Sequence, residues 1–252
     1  MTTTENSPTP RQQQDVKDAY QRNGDRWRPD LDPLLDHPEL AAAYVRFAQV
    51  TAERNALDPK TRELILLAVN ASTTTLHEPS IRWHMQEAIR HGATEPEIAE
   101  ILELVSVLAI HTASTGMPIL LDTLQQQGLL DSAELDERRR DLKERYLAGR
   151  GMWNAELEAM LVLDPDLLEA YLAFSSVPWR TGTLGPAIRE LVYIAIDSSV
   201  THMYHSGTRI HMERALAAGA TPAQIAGVLT LVSTLGEHTL TSGLRILREV
   251  TA

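Results

Sequence analysis

The sequence contains no cysteine. Disulfide frameworks, cysteine-ligated zinc sites, CxxC redox pairs and thiol nucleophiles are therefore excluded. Aromatic residues are also scarce, at 5% of the chain, so aliphatic side chains must fill most of the core. The longest apolar stretches are cut by Glu, Asp or His well short of the ~20 residues that a membrane span needs. We therefore expect a soluble protein with no membrane partner.

An excess of positive charge is missing as well. The 252-residue chain has a formal net charge of −11, and its basic residues are scattered. Such a surface would repel a phosphate backbone, so nucleic acid is not an expected partner. The first residues show neither the basic start and apolar core of a signal peptide nor the arginine-rich pattern of a transit peptide. These features predict a cytoplasmic protein.

The most informative feature present is an internal repeat. A shift of 127 positions aligns residues 57–121 with residues 184–248 without a gap, and 27 of the 65 aligned pairs are identical. Unrelated helices of this composition would give roughly four identities. Tyr20/Tyr146 and Trp27/Trp153 extend the match after a one-residue slip. A period this long indicates a domain duplication, with two bundles packed about a pseudo-twofold axis.

The repeat sets the expected domain organisation. We predict a disordered polar tail at residues 1–14, a first repeat at 15–129, a charged linking helix at 130–145 and a second repeat at 146–252.

Within each repeat the hydrophobic spacing predicts helices. Leu64, Leu67, Ala68 and Ala71 recur at helical intervals in a helix predicted over residues 60–70. A second helix, over residues 80–91, is expected to end at a glycine, and a third to begin at a threonine cap. The helix-ending glycines are Gly92 and Gly219, and the capping threonines are Thr94 and Thr221. Gly116 is expected to break or bend the third helix. No long stretch alternates with period two, so the predicted fold class is all-α.

Histidine is the group most suited to proton transfer near neutral pH. Two histidine pairs are identical in the two repeats, His84/His211 and His111/His238. Arg82 precedes His84 by two residues, and Arg209 precedes His211 in the same way. Residues two apart on a helix diverge by ~200°, so each arginine and histidine can share a groove only where the helix start is irregular. For each histidine pair the alternative is a structural role, bonded to backbone groups.

Acidic and loop residues complete the candidate site. Glu63 and Glu190 each follow an arginine one turn into an apolar helix, and either a solvated first-turn charge or a functional carboxylate fits that pattern. The turn before the second helix carries His77 and Glu78 in the first repeat, and its counterparts in the second are Tyr204 and His205. A loop can aim such residues at the mouth of a bundle.

Metal and cofactor motifs give no positive signal. By residue type His77, His84 and the pair His202/His205 could bind a metal, but no HExxH motif is present, and Thr75 aligns with His202. Glycine-rich phosphate loops, GxSxG elbows and dinucleotide fingerprints are also lacking. We therefore predict no metal and no cofactor.

These residues together resemble the carboxymuconolactone decarboxylase-like superfamily, which includes the alkylhydroperoxidase D-like proteins. The resemblance lies in Arg62-Glu63-Leu64, His77-Glu78, Arg82-Trp83-His84, Gly92-Ala93-Thr94 and Gly116-Met117-Pro118, with most of the pattern repeated after residue 184. It implies a tandem helical bundle that assembles as a homo-oligomer, either a trimer of tandem chains or a dimer. It also implies a cofactor-independent carboxy-lyase of aromatic compound catabolism.

The sequence departs from both branches of that superfamily. The hydroperoxidase branch needs a CxxC pair, but Thr75 and Glu78 occupy those positions in the first repeat, and His202 and His205 in the second. Thiol peroxidase activity is therefore excluded by composition. Extra residues before His84 and before Gly116 indicate that the pocket differs from that of the muconolactone enzymes.

The resulting hypothesis is decarboxylation of a carboxylated lactone or a related small acid. Arg82 or Arg209 would polarise the carbonyl and His84 or His211 would donate the proton, with Glu78, Glu63 or Glu190 orienting the imidazole. The remaining predicted substrate-binding residues are His77, His111, Tyr204, His205 and His238. Isomerisation, hydrolysis and a non-catalytic acid-binding scaffold remain alternatives, because all of them could use the same groups.

Overall fold

The computed structural model describes residues 8–22, 25–53, 56–130 and 135–251. About 80% of the chain is helical, and the described residues contain no strand, which confirms the all-α prediction. The α-helices are α1 Pro10–Gln21, α2 Pro38–Glu53, α3 Pro59–Ala71, α4 Glu78–Arg90, α5 Glu95–Ser106, α6 His111–Gln126, α7 Glu137–Arg150, α8 Ala155–Leu163, α9 Pro165–Ser175, α10 Val177–Thr181, α11 Pro186–Ser198, α12 His205–Ala217, α13 Pro222–Val232 and α14 Glu237–Thr251. Three 3₁₀ segments, Pro29–Asp36, Val107–Ile110 and Ser233–Gly236, connect them.

The chain forms two compact units whose limits differ from those of the repeats. The first unit combines Met1–Leu102 with Leu184–Ala252, and the second is Glu103–Thr183. The first unit therefore contains α3, α4 and the first part of α5 from one repeat together with α11 to α14 from the other.

The first unit has the equivalent helices α3 and α11 at its centre. These two helices pack against each other, and each also packs against the helix that follows it, α4 or α12. Their inward side chains, among them Leu64, Leu67 and Ile194, are fully buried. Burial of such side chains is worth about 1.5–3 kcal/mol each, so this layer contributes much of the stability of the first unit.

In the first unit, the last helix of the second repeat packs against the start of the first repeat. Leu240 and Leu244 of α14 lie against a buried cluster made by α1, α2 and the first 3₁₀ segment. The members of that cluster are Val16, Leu31, Leu34, Leu35, Ala41 and Val45.

The second unit shows the reciprocal arrangement. Ala113 and Met117 of α6, the last helix of the first repeat, pack on a buried cluster that includes Leu142 and Leu157 of the second repeat. Each repeat thus places its final helix on the leading helices of the other repeat.

The leading helices of the two repeats use the same aromatic contact. Tyr20 and Trp27 pack edge to face with ring centroids 5.4 Å apart, and Tyr146 and Trp153 do so at 5.5 Å. These residues are packing anchors, because a perpendicular ring pair fixes the start of the leading helix on the segment that follows it.

The predicted helix ends around Gly92 and Thr94 are confirmed. Gly92 has φ of +89°, the left-handed conformation that a glycine adopts without a steric penalty. The Thr94 hydroxyl accepts a hydrogen bond from the backbone of Glu97 and so caps α5. Thr221 caps α13 through Gln224 in the same way, with a full capping box.

Three expected boundaries differ from the structure. The predicted tail at residues 1–14 overlaps α1, which begins at Pro10 because Thr9 forms a capping box with Gln12; residues 1–7 lie outside the described residues. The predicted linking helix, 130–145, overlaps α7, which continues through Tyr146 and is the leading helix of the second repeat. Gly116 does not break its helix, because α6 passes through it and the irregularity falls earlier, at Val107–Ile110.

One helical run among the described residues, Glu95–Gln126, has the length and mean hydropathy of a membrane span. Within that run Glu100 is 2% exposed and pairs with buried Arg189. A buried ion pair of this kind is typical of a protein core, so the run is weak evidence for a span.

Candidate active site

A buried carboxylate and imidazole pair joins α3 to α4 in the first repeat. Glu63 and His84 are both nearly inaccessible, and His84 Nδ1 lies 2.7 Å from Glu63 Oε2. The apolar neighbours of Glu63 on α3 hold this helix against α4, so the carboxylate has to face the partner helix. The carboxylate accepts a hydrogen bond from Nδ1–H, which fixes the imidazole tautomer and leaves Nε2 for other chemistry.

The charge of Glu63 is stabilised by its neighbours. Burial alone would raise the pKa of this carboxyl group, but His84 and the Arg62 guanidinium outweigh burial and lower the pKa. Arg62 Nη2 lies 3.0 Å from Glu63 Oε1 and also pairs with Asp25 from the segment after α1. Glu63 is therefore ionised at neutral pH.

His84 lines a cleft on the first unit. The cleft has a cavity volume of about 70 Å³, and Glu63, Arg62, Arg26 and Trp83 also line it. In the part of the chain that the structure describes, no residue forms a hydrogen bond with Nε2 of His84. This nitrogen is thus available to exchange a proton with a ligand in the cleft.

A second buried carboxylate lines the same cleft and comes from the other repeat. Glu237, at the start of α14, pairs with Arg28 at 2.6 Å and accepts a hydrogen bond from the Tyr44 hydroxyl. Burial raises the pKa of Glu237 despite the opposing charge of Arg28. Burial likewise raises the pKa of Tyr20, so this phenol stays protonated. The cleft therefore holds one carboxylate with a lowered pKa and one with a raised pKa.

His77 and His238 form a separate pair in the first unit and are not among the cleft-lining residues. Their rings stack with centroids 4.0 Å apart, and Ser80 Oγ lies 2.8 Å from His77 Nδ1 and 3.3 Å from His238 Nε2. His77 Nε2 also lies 3.2 Å from Ser242 Oγ. Burial lowers the pKa of His77 and lowers that of His238 to about 4, so both rings are neutral at pH 7.

The second repeat has the equivalent acid and histidine pair in a different setting. His211 Nδ1 lies 2.6 Å from Glu190 Oε2, as in the first repeat. The Tyr193 ring stacks on this imidazole at 4.6 Å, and His211 Nε2 lies 3.9 Å from a carboxylate oxygen of buried Asp197. The first repeat has Leu66 and Asn70 at the positions of Tyr193 and Asp197.

The arginines predicted to act beside the histidines are not placed there. The side chain of Arg82 is 69% exposed and pairs with exposed Glu78 at 2.8 Å on the outer face of α4. Neither residue is among those lining the cleft. The predicted roles of Arg82 and Glu78 are corrected accordingly, because a helical separation of two residues turns Arg82 away from His84. Arg209 and His205 are also exposed, on α12.

Two other predicted substrate-binding residues lie elsewhere. Tyr204 is half-buried, and its backbone N–H donates to the Asp197 carbonyl at the start of α12. His111 is half-buried at the start of α6 in the second unit.

Several cleft residues were not singled out from the sequence. Arg62 carried a usable signal, because Arg62 and Arg189 are identical in the two repeats. Arg26 and Arg28 flank the repeated Trp27, but their aligned residues, Met152 and Asn154, are uncharged. Glu237 gave no signal, because its aligned residue is Ile110 and it reaches the first repeat only through tertiary packing.

Comparisons with known proteins agree with this fold. The sequence profile of the carboxymuconolactone decarboxylase family matches residues 38–115 and again residues 165–249. A crystal structure of a candidate gamma-carboxymuconolactone decarboxylase subunit from Burkholderia xenovorans LB400 is similar, with 42% sequence identity and a TM-score of 0.88. The match covers 95% of this chain and 97% of that chain. No protein of curated function matches the sequence significantly. The chain therefore belongs to the carboxymuconolactone decarboxylase family, of which it is a tandem, cysteine-free member.

Proposed function

We propose that the protein is a cofactor-independent decarboxylase that acts on a carboxylated lactone or a related small organic acid in the cleft of the first repeat. The observation that carries this proposal is the buried Glu63–His84 pair, whose imidazole lines the cleft with Nε2 available. Family membership and the similar structure from Burkholderia xenovorans support the reaction class.

The proposed reaction has two steps. The bond between the substrate carbon and its carboxylate breaks, carbon dioxide leaves, and the electron pair is delocalised into the lactone carbonyl. The Arg62 guanidinium, which lines the cleft, stabilises the resulting negative charge through its electrostatic field while it stays paired with Asp25 and Glu63, and it takes this role in place of the sequence-predicted Arg82. Protonated His84 then donates its Nε2 proton to the carbon and recovers a proton from solvent, while ionised Glu63 holds the ring in place.

A panel of carboxylated butenolides, assayed for carbon dioxide release and for product identity, tests the proposal. His84→Gln should lower kcat by about 10²–10⁴-fold, because it removes the proton donor. Glu63→Gln should lower kcat at least about tenfold, because it loses the ionic hold on the imidazole tautomer. Far-UV circular dichroism and unfolding midpoints would show that both variants fold.

His205→Gln is the matched control, since His205 is an exposed histidine outside the cleft. Turnover by His84→Gln at the rate of the wild-type chain would exclude the assignment. Lactone consumption that depends on His84 but releases no carbon dioxide would replace decarboxylation with isomerisation or hydrolysis.

We also propose that the chain forms a homo-oligomer, either a trimer of tandem chains or a dimer. Support comes from an exposed apolar pair that recurs at equivalent positions, Ile119/Leu120 on α6 and Ile246/Leu247 on α14. Exposed apolar pairs of this kind are often covered in an assembly.

A cytoplasmic location stays a prediction.

A further inference from the structure

Three arginines among the described residues line the cleft, and two of them are committed to buried carboxylates. The Arg28 side chain is 4% exposed and binds Asp30 through two nitrogens and Glu237 through the third. Arg62 pairs with Asp25 and Glu63. If Arg28 turned toward a ligand, Glu237 would stay buried without its charge partner, and if Arg62 turned, buried Glu63 would lose one of its two partners; both changes are unfavourable.

Arg26 differs from both in its exposure and in the state of its partner. Its side chain is 59% exposed, and its Nη1 lies 2.8 Å from Glu87 Oε1. Glu87 is 5% exposed, and its second oxygen is already bound by Arg90, with Nε at 2.8 Å and Nη2 at 2.6 Å. Arg26 can therefore turn toward a ligand while Glu87 keeps a cationic partner.

Trp83 restrains the position of this movable guanidinium. The Arg26 guanidinium carbon lies 5.3 Å from the centre of the Trp83 ring, and both side chains line the cleft. Contact with the ring restricts the guanidinium to a few orientations, which reduces the entropy lost when a ligand binds. The planar fork of an arginine matches the two oxygens of a carboxylate.

We propose that Arg26 is a substrate-binding residue, and that it takes the carboxylate of a small, flat organic anion at the solvent-exposed edge of the cleft. The inference rests on the proposed function, because it names the ligand class of the same cleft. It applies to the first repeat alone. Met152, Ile210 and Arg214 replace Arg26, Trp83 and Glu87 in the second repeat, which therefore lacks the movable guanidinium, the ring and the acid.

Calorimetric titration of the full chain with furan-2-carboxylate tests this proposal, with neutral furan-2-carboxamide as the matched ligand. Arg26→Gln should weaken binding of the carboxylate by about tenfold or more and leave binding of the amide unchanged. The carboxylate affinity of Arg26→Lys should lie between those of Arg26→Gln and the wild type, because lysine keeps the charge but lacks the planar guanidinium fork. Arg82→Gln is the matched control, since it removes an exposed arginine outside the cleft and should change the Kd less than about twofold.

Equal carboxylate binding by Arg26→Gln and the wild type would overturn the proposal. A tenfold loss in Arg82→Gln would overturn it too, because the effect would then reflect overall charge. Absence of measurable carboxylate binding to the wild-type chain is a third contradicting result.

The proposed function fails separately from this inference. If no lactone is turned over but carboxylate binding still depends on Arg26, the decarboxylase assignment fails and the binding residue stands. If turnover depends on His84 but carboxylate binding does not change when Arg26 is replaced, only the assignment of Arg26 fails.

Discussion

Glu63 and Glu237 are two buried carboxylates that line one cleft and have opposite shifts in pKa. Burial acts on both, but Glu63 has His84 and Arg62 as neighbours, and their combined effect lowers its pKa. Among the described residues only Arg28 is a close cation for Glu237, and the effect of burial prevails, so the pKa of Glu237 is raised. Sites that carry out acid and base chemistry commonly separate the pKa values of two carboxyl groups in this way. Here Glu63 is suited to hold a protonated imidazole.

The stacked pair His77 and His238 predicts a pH-dependent stability. Burial lowers the pKa of His238 to about 4, His77 and Arg28 act in the same direction, and Asp30 opposes them. The unfolded chain, with a histidine pKa near ~6.5, takes up the proton first as the pH falls. The stabilising contribution of neutral His238 is therefore complete above about pH 6.5 and is lost as the pH falls toward about 4.

Urea unfolding between about pH 7 and pH 5 checks this expectation. The free energy of unfolding of the wild-type chain should fall across that range. The free energy of unfolding of His238→Asn should fall by about 1 kcal/mol less, after allowance for partial solvent exposure. Parallel pH profiles for the two chains would show that His238 is not the group responsible.

Single-residue roles were predictable only where the repeat and the helical period agreed. The duplication marked His84 and Glu63, and the structure brings these two together. The pattern Arg-x-His suggested Arg82, but the helix turns Arg82 to solvent. Sequence spacing specifies the face of a helix that a residue occupies. It does not specify which distant segment brings further arginines to the cleft, and here that segment is the one with Arg26 and Arg28.

At the scale of elements, the packing of α12 on α11 depends on the absence of a side chain at Gly207. A Cβ atom there would overlap Asp197 Oδ2 and would lie 2.5 Å from the Tyr204 ring. Gly207→Ala should therefore destabilise the protein by about 1–3 kcal/mol, measured as the free energy of unfolding in urea.

Gly243→Ala is the matched glycine control. Gly243 lies inside α14, and a Cβ atom there would meet nothing within 4 Å. This substitution should stabilise the protein by about 0.5–1 kcal/mol, because alanine loses less backbone entropy in a helix. A Gly207→Ala variant as stable as Gly243→Ala would contradict the close packing of α12 against α11.

Helix identities and most helix ends followed from local chemistry. Gly92 and the threonine caps act through their own backbone and side chains, so the sequence is sufficient to place them. The prediction that Gly116 breaks or bends the third helix is wrong in position: α5 ends at Ser106 and α6 continues through Gly116, because glycine permits a bend without requiring one. The irregularity at Val107–Ile110 has no glycine or proline to mark it.

At the scale of the whole chain, the exchange of final helices determines which residues meet. Because α14 lies on the leading segment of the first repeat, Glu237 of the second repeat binds Arg28 of the first. The repeat alignment shows which positions are equivalent. It cannot show whether a helix packs on its own repeat or on the other one, since both arrangements bury equivalent apolar faces.

The two repeats also differ in the partners of the aligned arginines Arg62 and Arg189. Arg189 binds Glu100 at 2.5 Å, and Glu100 further accepts a hydrogen bond from the backbone of Leu184. The residue that aligns with Glu100 in the second repeat is Gly227, so Arg62 has no equivalent acid to bind. Arg62 instead pairs with Asp25 and Glu63 at the cleft. The Glu100/Gly227 difference thus gives a physical reason for the cationic character of the first cleft.

This asymmetry predicts that one repeat carries the activity. His211 is stacked on Tyr193 and its Nε2 faces the Asp197 carboxylate, whereas Nε2 of His84 is available to the cleft. His211→Gln should therefore keep at least about half of the wild-type kcat, while His84→Gln loses about 10²-fold or more. Turnover measured on both variants, with unfolding midpoints as a check on folding, decides the matter. Equal losses in the two variants would mean that both repeats are catalytic, and that the residues aligned with the charged groups of the first cleft are dispensable for the reaction.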